Sequence, residues 1–206
     1  MRIAGLILAG GKSTRMGGGQ KALLPLAGIA LLDRVIARLA PQVDEIAINA
    51  NRDLDRYRAA GLPLVSDTVP DFAGPLAGVL AGMRWAAPRG ATHVASVAAD
   101  TPFFPPDLVA QLGAGLSPEA RIAMAVTPDP ARGQARHPTF ALWPVDLADD
   151  LEASLLAGIR KIIAWSDRHG TARVTFPARP YDPFFNVNTP DDMQKAERIA
   201  AAYMQG

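Results

Sequence analysis

The sequence contains no cysteine and no long apolar run, and each absence excludes a class of protein. Without cysteine the chain forms no disulfide, thiolate metal site or cysteine nucleophile, which fits a reducing compartment and favours a cytoplasmic location. No apolar stretch approaches the roughly 20 residues of a membrane span. The opening stretch is too short and too interrupted for a signal peptide. We therefore expect no association with a membrane.

Charge of either sign is not in excess. The chain has 21 Lys and Arg against 20 Asp and Glu, a formal net charge of +1. This balance argues against a nucleic-acid-binding protein, which needs an excess of positive charge to neutralise phosphates. With 206 residues, 49% of them hydrophobic, the chain is long enough for one domain with a sizeable core. Because neither a repeat nor a linker interrupts it, we predict a single domain over 1–206.

The most informative stretch is a glycine-rich segment that follows an apolar run. Residues 3–9 have the length of a buried strand, and residues 10–19, GGKSTRMGGG, follow directly. Residues without large side chains let backbone N–H groups approach an anion closely, and Arg15 and Lys21 add positive charge. Strand, loop and cations together predict a phosphate-binding site. The alternative is a solvated loop between a strand and a helix.

The spacing of the glycines matches neither of two common phosphate-binding motifs. In G-x-x-x-x-G-K-[ST], counting back from Gly11 places Leu6, inside the predicted strand, where the first glycine should stand. The dinucleotide-binding spacing G-x-G-x-x-G does not occur here either.

Strand and helix patterns alternate through the first hundred residues. Short apolar runs predict strands at 3–9, 45–49, 62–65 and 93–98, and periodicity with start and stop signals predicts helices at 30–39, 53–60 and 75–87. This alternation is typical of a mostly parallel sheet with helices on both faces. We predict an α/β fold, a Rossmann-like three-layer α/β/α domain.

The second half has a less regular pattern. It predicts a helix at 106–116, one or two helices over 145–169, and strands at 122–127, 139–143 and 174–176. We expect residues 133–136 to form the turn of a hairpin. A last helix is predicted to begin at Thr189, with Pro190 in its first position and acids in its first turn.

Polar residues and a glycine follow the predicted parallel strands. The strands end near Gly10, Asn49, Asp67 and Asp100. Because ligands bind beyond the carboxyl ends of such strands, we expect these four residues to share one crevice. A carboxylate at a strand end beside a phosphate loop is a natural Mg²⁺ ligand, since Mg²⁺ takes few carboxylates together with phosphate oxygens. Capping of the following turn is the alternative role for Asp100.

The form L-A-G-G-x-x-x-R-M-G followed by K, over residues 8–21, resembles the signature of nucleotidyltransferases. With the later segments, the chain is most similar to molybdenum cofactor guanylyltransferases, from about residue 3 to about residue 197. The resemblance implies a nucleotide-diphospho-sugar-transferase-like fold with a nucleotide-binding half at 1–105 and an acceptor-binding half at 106–206. It implies transfer of GMP from GTP to the molybdopterin-molybdenum cofactor, with release of pyrophosphate. Proteins that deliver molybdopterin or mature molybdoenzymes are the implied partners.

The resemblance also assigns roles to individual residues. Arg15, Lys21 and Asp100 are implied to act in catalysis, with Asp100, in A-A-D-T-P-F, holding Mg²⁺ or Mn²⁺. The residues implied to bind the nucleotide are Leu8, Ala9, Gly10, Gly11, Lys21, Asn49, Asp67 and Asp100. An amide and a carboxylate, as in Asn49 and Asp67, can read a guanine edge or bind ribose hydroxyls; turn formation is the alternative for each. Residues 74–78, GPLAG, resemble the loop against the base.

Two asparagines in D-P-F-F-N-V-N-T-P-D-D, Asn186 and Asn188, match the family pattern closely. One of them resembles the second metal ligand, and we favour Asn188, because amide oxygens are acceptable ligands for a hard ion. Both could instead shape the turn before the last helix. Arg160, Lys161 and His137 also match, and would bind the phosphate or dithiolene end of the second substrate unless they are ordinary surface residues.

One residue departs from the family pattern. The family usually has an acid immediately before the loop lysine, and here that residue is Gln20. The alternative functions are a CTP-dependent cytidylyltransferase acting on molybdopterin or on a sugar or polyol phosphate, and a non-catalytic nucleotide sensor or carrier. Relatives that use CTP tend to carry L-A-A-G at the position of L-A-G-G, which favours guanine. Gln20 is the feature that favours the sensor.

Overall fold

The computed structural model describes residues 1–10, 21–69 and 74–203. The strands in these ranges are β1 (Ile3–Leu8), β2 (Pro25–Leu26), β3 (Ile29–Ala30), β4 (Glu45–Asn49), β5 (Leu64–Val65), β6 (His93–Ala98), β7 (Ile122–Asp129), β8 (Gly133–Pro144) and β9 (Thr171–Thr175). The helices are α1 (Leu31–Leu39), α2 (Leu54–Tyr57), α3 (Pro75–Ala86), α4 (Leu108–Ala114), α5 (Ala148–Leu156), α6 (Ile162–Ser166) and α7 (Pro190–Tyr203). No helix within these ranges is both long enough and apolar enough to cross a membrane.

Seven strands form one mostly parallel sheet in the order β5-β4-β1-β6-β8-β7-β9. β1 lies between β4 and β6 and pairs in parallel with both of them, with Leu8 opposite Asn49 and Ala98. β8 is antiparallel to both of its neighbours. Its pairing with β7 follows because a connection of a few residues can join only antiparallel strands. The predicted α/β class and parallel sheet are confirmed.

The prediction of a turn at residues 133–136 is wrong. Those residues belong to β8 and pair with β7, from Asp129 opposite Gly133 to Val126 opposite Arg136. The turn lies just before them, where Asp129 Oδ1 accepts hydrogen bonds from the backbone N–H groups of Ala131 (2.8 Å) and Arg132 (3.1 Å). An aspartate that binds the backbone two residues on makes a turn by itself, so the chain reverses earlier than the glycine indicated.

The sheet has a separate apolar core on each face, which confirms the three-layer arrangement. Neighbouring residues of β1 face opposite ways: Ile7 joins a core formed with α1 and α4, and Leu6 joins a core formed with α3, α5 and α6. This alternation follows from the two-residue period of a strand. The long segment expected to be helical over 145–169 divides into α5 and α6.

A third, smaller core ties the end of the chain to the sheet. Leu26 of the β2–β3 hairpin packs with Phe103, Val187 and Ala196 of α7. The hairpin, which the sequence pattern did not predict, turns through Ala27 (φ 47°) and Gly28 (φ 77°), and a two-residue turn with both φ angles positive matches the twist of paired strands. This core brings residues 184–188 beside the end of β6.

Candidate active site

The predicted crevice lies along one edge of the sheet. β5, β4, β1 and β6 are neighbours in that order and run parallel, so their carboxyl ends lie side by side. The strand ends are joined by backbone hydrogen bonds from Ala9 N to the Asn49 carbonyl (2.9 Å) and from Ala99 N to the Leu8 carbonyl (3.1 Å). Asp67 follows β5 and Asp100 follows β6 along the same edge.

The Asp67 carboxylate is held by two amide side chains. Asn49 Nδ2 donates to Asp67 Oδ1 (2.9 Å) and to the Val65 carbonyl (3.2 Å). Asn51 Nδ2 donates to Asp67 Oδ2 (2.9 Å), and Asn51 Oδ1 accepts from the backbone N–H of Asp67 (2.8 Å). A carboxylate accepts up to about four hydrogen bonds. Asp67 is therefore fixed in orientation and keeps acceptor capacity for a ligand.

Asn49 lies beneath the start of α3 and is 3% exposed. A Cβ atom added to Gly78 would lie 2.4 Å from Asn49 Oδ1, and one added to Gly10 would lie 3.4 Å from the same atom. Glycine at position 78 therefore lets the helix approach the amide closely. Because both hydrogens of Asn49 Nδ2 bind within the protein, direct contact between Asn49 and a ligand would use Oδ1.

At the other end of the crevice, one lysine joins two residues that are far apart in the sequence. Lys21 Nζ donates to Asp100 Oδ2 (2.5 Å) and also contacts Asn188 Oδ1. The side chains of Lys21 and Asp100 are only 14% and 22% exposed. Because both oxygens bind the same ammonium group, they lie within about two hydrogen-bond lengths of each other.

Asn186 has a different partner from Asn188. Its Oδ1 contacts the hydroxyl of Thr101, and that hydroxyl also lies 3.1 Å from Asp100 Oδ1. The buried Val187 between the two asparagines donates its backbone N–H to the Asp100 carbonyl (2.9 Å). Both amides therefore lie near Asp100, and it is Asn188 that shares the lysine with its carboxylate.

A capping arrangement at the start of α7 holds Asn188 in place. The backbone N–H groups of Asn188 and Thr189 donate to Asp192 Oδ2 (3.1 and 3.0 Å), while Asp192 N donates to Thr189 Oγ1 (3.1 Å). Burial raises the pKa of Asp192, but these hydrogen bonds and nearby Lys195 outweigh it, and the pKa lies below its usual value. The helix start predicted at Thr189 is confirmed.

His137 lies on the side of β8 that faces Phe184. The two rings stack with centroids 4.4 Å apart, and His137 Nε2 lies 2.9 Å from Thr127 Oγ1. Burial lowers the pKa of His137, with Asp182 opposing it in part, so the ring is predominantly neutral at pH 7. His137 therefore packs against the segment that leads to Asn186 and Asn188.

A cleft of about 550 Å³ opens on the other side of β8. Its lining residues are Pro75, Pro138, Arg160, Lys161, Ile162, Ile163, Ala164 and Asp167. Arg136, two residues before Pro138 on β8, forms an ion pair with Asp167 (2.9 Å). The side chains of a strand alternate between its faces, so Arg160 and Lys161 share the cleft whereas His137 points away from it. The resemblance to the family had implied that all three residues bind the second substrate.

A divalent cation has a small but suitable set of ligands here. The part of the chain that the structure describes contains no group of three or more His, Cys, Asp and Glu residues that could hold a metal by themselves. One carboxylate and one amide oxygen, as at Asp100 and Asn188, are what Mg²⁺ takes from a protein when phosphates complete its coordination. The donor set therefore fits Mg²⁺ bound together with a nucleotide.

Three residues of interest, Gly11, Arg15 and Gln20, lie outside the described residues. Their expected roles stay predictions.

Comparison with known proteins decides the family. Residues 5–172 match the model of the MobA-like NTP transferase domain, well over half of the chain. The chain belongs to this family. A molybdenum cofactor guanylyltransferase of Bradyrhizobium sp. (strain ORS 278) is 48% identical over 203 residues, which are 97% of this chain and 93% of the relative. Another of the same name, from Burkholderia orbicola (strain MC0-3), is 52% identical over 192 residues, 91% of each chain.

Solved structures agree with this MobA-like assignment. Molybdopterin-guanine dinucleotide biosynthesis protein A of Archaeoglobus fulgidus is 25% identical, with a TM-score of 0.70 over 97% of this chain and 99% of that one. The 4-diphosphocytidyl-2C-methyl-D-erythritol synthase of Anaerococcus prevotii is 14% identical, with a TM-score of 0.75 over 100% of this chain and 96% of that one. At that identity the second likeness shows the fold alone.

Two residues of the site were missed from the sequence, Asn51 and Thr101. Asn51 stands two positions after Asn49, the spacing that places both on one face of an extended chain, and this was a signal that could have indicated it. Thr101 is fully buried beside Asp100, and no sequence pattern marks it.

Proposed function

We infer that this MobA-like NTP transferase transfers GMP from GTP to the molybdopterin-molybdenum cofactor, forming molybdopterin guanine dinucleotide and pyrophosphate. The observation that carries this conclusion is a sequence identity of 48% and 52% to two molybdenum cofactor guanylyltransferases, over 97% and 91% of this chain. The chain also keeps Lys21, Asp100 and Asn188 together at one edge of the sheet.

The reaction needs little covalent chemistry from the protein. An oxygen of the acceptor's terminal phosphate attacks the α-phosphorus of GTP, and the bond from that phosphorus to the oxygen bridging the α- and β-phosphates breaks, so that pyrophosphate leaves. The attacking phosphate is already anionic near neutral pH, since its second pKa is about 6. Catalysis then consists of orienting the two substrates and stabilising negative charge.

We propose that Lys21 supplies much of that charge stabilisation. In the structure its ammonium group is bound to Asp100 and Asn188, which holds it at the carboxyl end of β6, and Lys21 is the second residue after the glycine-rich segment. When the oxygens of Asp100 and Asn188 bind a divalent cation, the ammonium group of Lys21 leaves them and binds the oxygens of the triphosphate, where it stays as pyrophosphate leaves. Arg15 is proposed to act on the same phosphates.

We propose that Asp100 and Asn188 hold the divalent cation, Mg²⁺ with Mn²⁺ as a substitute. When bound, the cation neutralises charge on the reacting phosphates. The chain's own contribution is to keep the two oxygens close together. The backbone bond from Val187 to Asp100 and the cap formed by Asp192 fix the segment that carries Asn188.

We propose that the cleft beside β8 receives the acceptor, which makes 106–206 the acceptor-binding half and 1–105 the nucleotide-binding half. All of its lining residues except Pro75 come from the second half, and its volume lies within the range of about 300–1,000 Å³ common for small-molecule sites. Arg160 and Lys161 bring positive charge for an anionic acceptor to an otherwise mainly apolar wall. Protein partners that deliver molybdopterin or mature molybdoenzymes stay a prediction from the family resemblance.

The test of the function is pyrophosphate release from GTP or CTP, measured in parallel with Mg²⁺ and molybdopterin-molybdate. Turnover with GTP and little with CTP is the expected result, and it would also show that Gln20 is tolerated. Preference for CTP would assign the chain to the cytidylyltransferases instead. GTP binding without release would favour the sensor, and Gln20→Asp would then show whether the missing acid is the reason.

Two sets of variants test the roles of residues. Lys21→Ala and Asp100→Ala are expected to lower kcat by orders of magnitude while the fold stays intact by circular dichroism; near-normal turnover in either would contradict its role. Arg160→Ala and Lys161→Ala are expected to raise the KM for the acceptor and leave the KM for GTP unchanged. Arg173→Ala, which removes an exposed charge from the edge strand β9, is the matched control.

A further inference from the structure

We propose that Asn51 is a positioning residue that sets the preference for guanine by fixing the orientation of the Asp67 carboxylate. This inference rests on the proposed function, and specifically on Asp67 being the group that reads the base. Asn51 itself need not touch the nucleotide.

The evidence is a pair of hydrogen bonds between Asn51 and Asp67. Asn51 donates to the side chain of Asp67 (2.9 Å) and accepts from its backbone N–H (2.8 Å), so the amide spans both ends of the same residue. A single hydrogen bond would leave the carboxylate free to rotate, whereas Asn51 on Oδ2 and Asn49 on Oδ1 together define its plane. The two asparagines approach from the same strand end, one buried and one exposed.

An oriented carboxylate matters because of the hydrogen-bonding pattern of guanine. The N1–H and 2-amino groups of guanine are adjacent donors, so a carboxylate in the correct plane can accept from both at once. Hypoxanthine, the base of ITP, keeps N1–H and lacks the amino group. A site built to bind that amino group should discriminate against ITP, and the discrimination should depend on the plane of the carboxylate more than on its charge.

A purely structural role for Asn51 is the competing explanation. Asn51 lies between β4 and α2 and Asp67 lies between β5 and α3, so their contact also ties two loops together. Such a tie would affect the thermal stability of the protein and the affinity for every nucleotide alike. The ratio of GTP to ITP affinities separates the two explanations, because stability alone does not change it.

The test compares Asn51→Asp and Asn51→Ala with wild type in steady-state assays and in equilibrium binding of GTP and ITP. Asn51→Asp keeps the shape and the acceptor for Asp67 N–H but replaces the donor on Oδ2 by a like charge; Asn51→Ala removes both contacts. Asp55→Asn, which alters an exposed ion pair on the same stretch, is the matched control. Losing one hydrogen bond to a charged group predicts a KM for GTP about tenfold higher, with kcat within about twofold of wild type.

The KM for ITP is expected to rise less, so that the preference for GTP over ITP falls by about threefold or more in both Asn51 variants. Unchanged preference in these variants, with wild type discriminating normally, would overturn the inference and leave the proposed function intact. Equal affinity of wild type for GTP and ITP would overturn it in the same way. Absence of GTP binding by wild type would overturn the proposed function together with the inference.

Discussion

The close approach of α3 to Asn49 predicts an unusual consequence for a mild substitution, Gly78→Ala. Alanine normally stabilises a helix interior relative to glycine by up to about 1 kcal/mol. Here the new Cβ would lie 2.4 Å from Asn49 Oδ1 and 2.8 Å from a methyl group of Leu8, so the amide or the helix has to move. Overpacking of this kind costs about 1–3 kcal/mol.

Movement of Asn49 would also weaken its hydrogen bond to the Asp67 carboxylate (2.9 Å), an interaction worth about 1.5–3 kcal/mol because the acceptor is charged. After the gain in helix propensity is subtracted from these two losses, we expect Gly78→Ala to lower the free energy of unfolding by about 1.5–5 kcal/mol. We also expect the KM for GTP to rise about tenfold. Urea unfolding and steady-state kinetics measure the two effects.

Gly82→Ala is the matched control, one turn further along α3. Its Cβ would lie 2.5 Å from a methyl group of Leu6, an apolar contact inside the core. Destabilisation without any change in the KM for GTP is therefore the expected result for this variant. If Gly78→Ala lowered stability but bound GTP as well as Gly82→Ala does, the reasoning that joins Gly78 to nucleotide binding through Asn49 would be refuted.

Three further predictions concern other parts of the site. Asp67→Asn should raise the KM for GTP at least about tenfold, because an amide cannot accept at both of its atoms; wild-type kinetics would contradict it. Burial lowers the pKa of His137 below the usual value for histidine, about 6.5, so the unfolded state binds the proton first and stability falls as pH drops below about 6.5. His137→Gln should make that loss between pH 7 and 5 shallower in urea unfolding, and curves parallel to wild type would refute it. Asp192→Ala should lower the free energy of unfolding by about 1 kcal/mol through loss of the cap, compared with the neighbouring Asp191→Ala as control.

Much of the architecture could be predicted because it depends on local patterns. The runs that form β1, β4 and β6 are short, apolar and followed by polar residues, and a parallel sheet requires their ends to meet at one edge. The cap at Thr189 has its signature within four residues. The hairpin at 25–30 was missed because Ala27 is not a residue that favours a positive φ, and the turn after β7 was misplaced because the side chain of Asp129 forms it.

The sequence by itself therefore determined the class of fold, the edge of the sheet that carries the candidate site and most of the residues along it, since strand ends and turn chemistry depend on neighbouring residues. The tertiary structure decided which of those residues act together. Lys21 contacts Asn188, which lies 167 residues later in the sequence. Asn51, after β4, donates a hydrogen bond to Asp67, after β5. His137 and Lys161 lie on opposite sides of β8. Such pairings depend on how helices pack against the sheet, and packing joins residues whose separation in the sequence carries no signal.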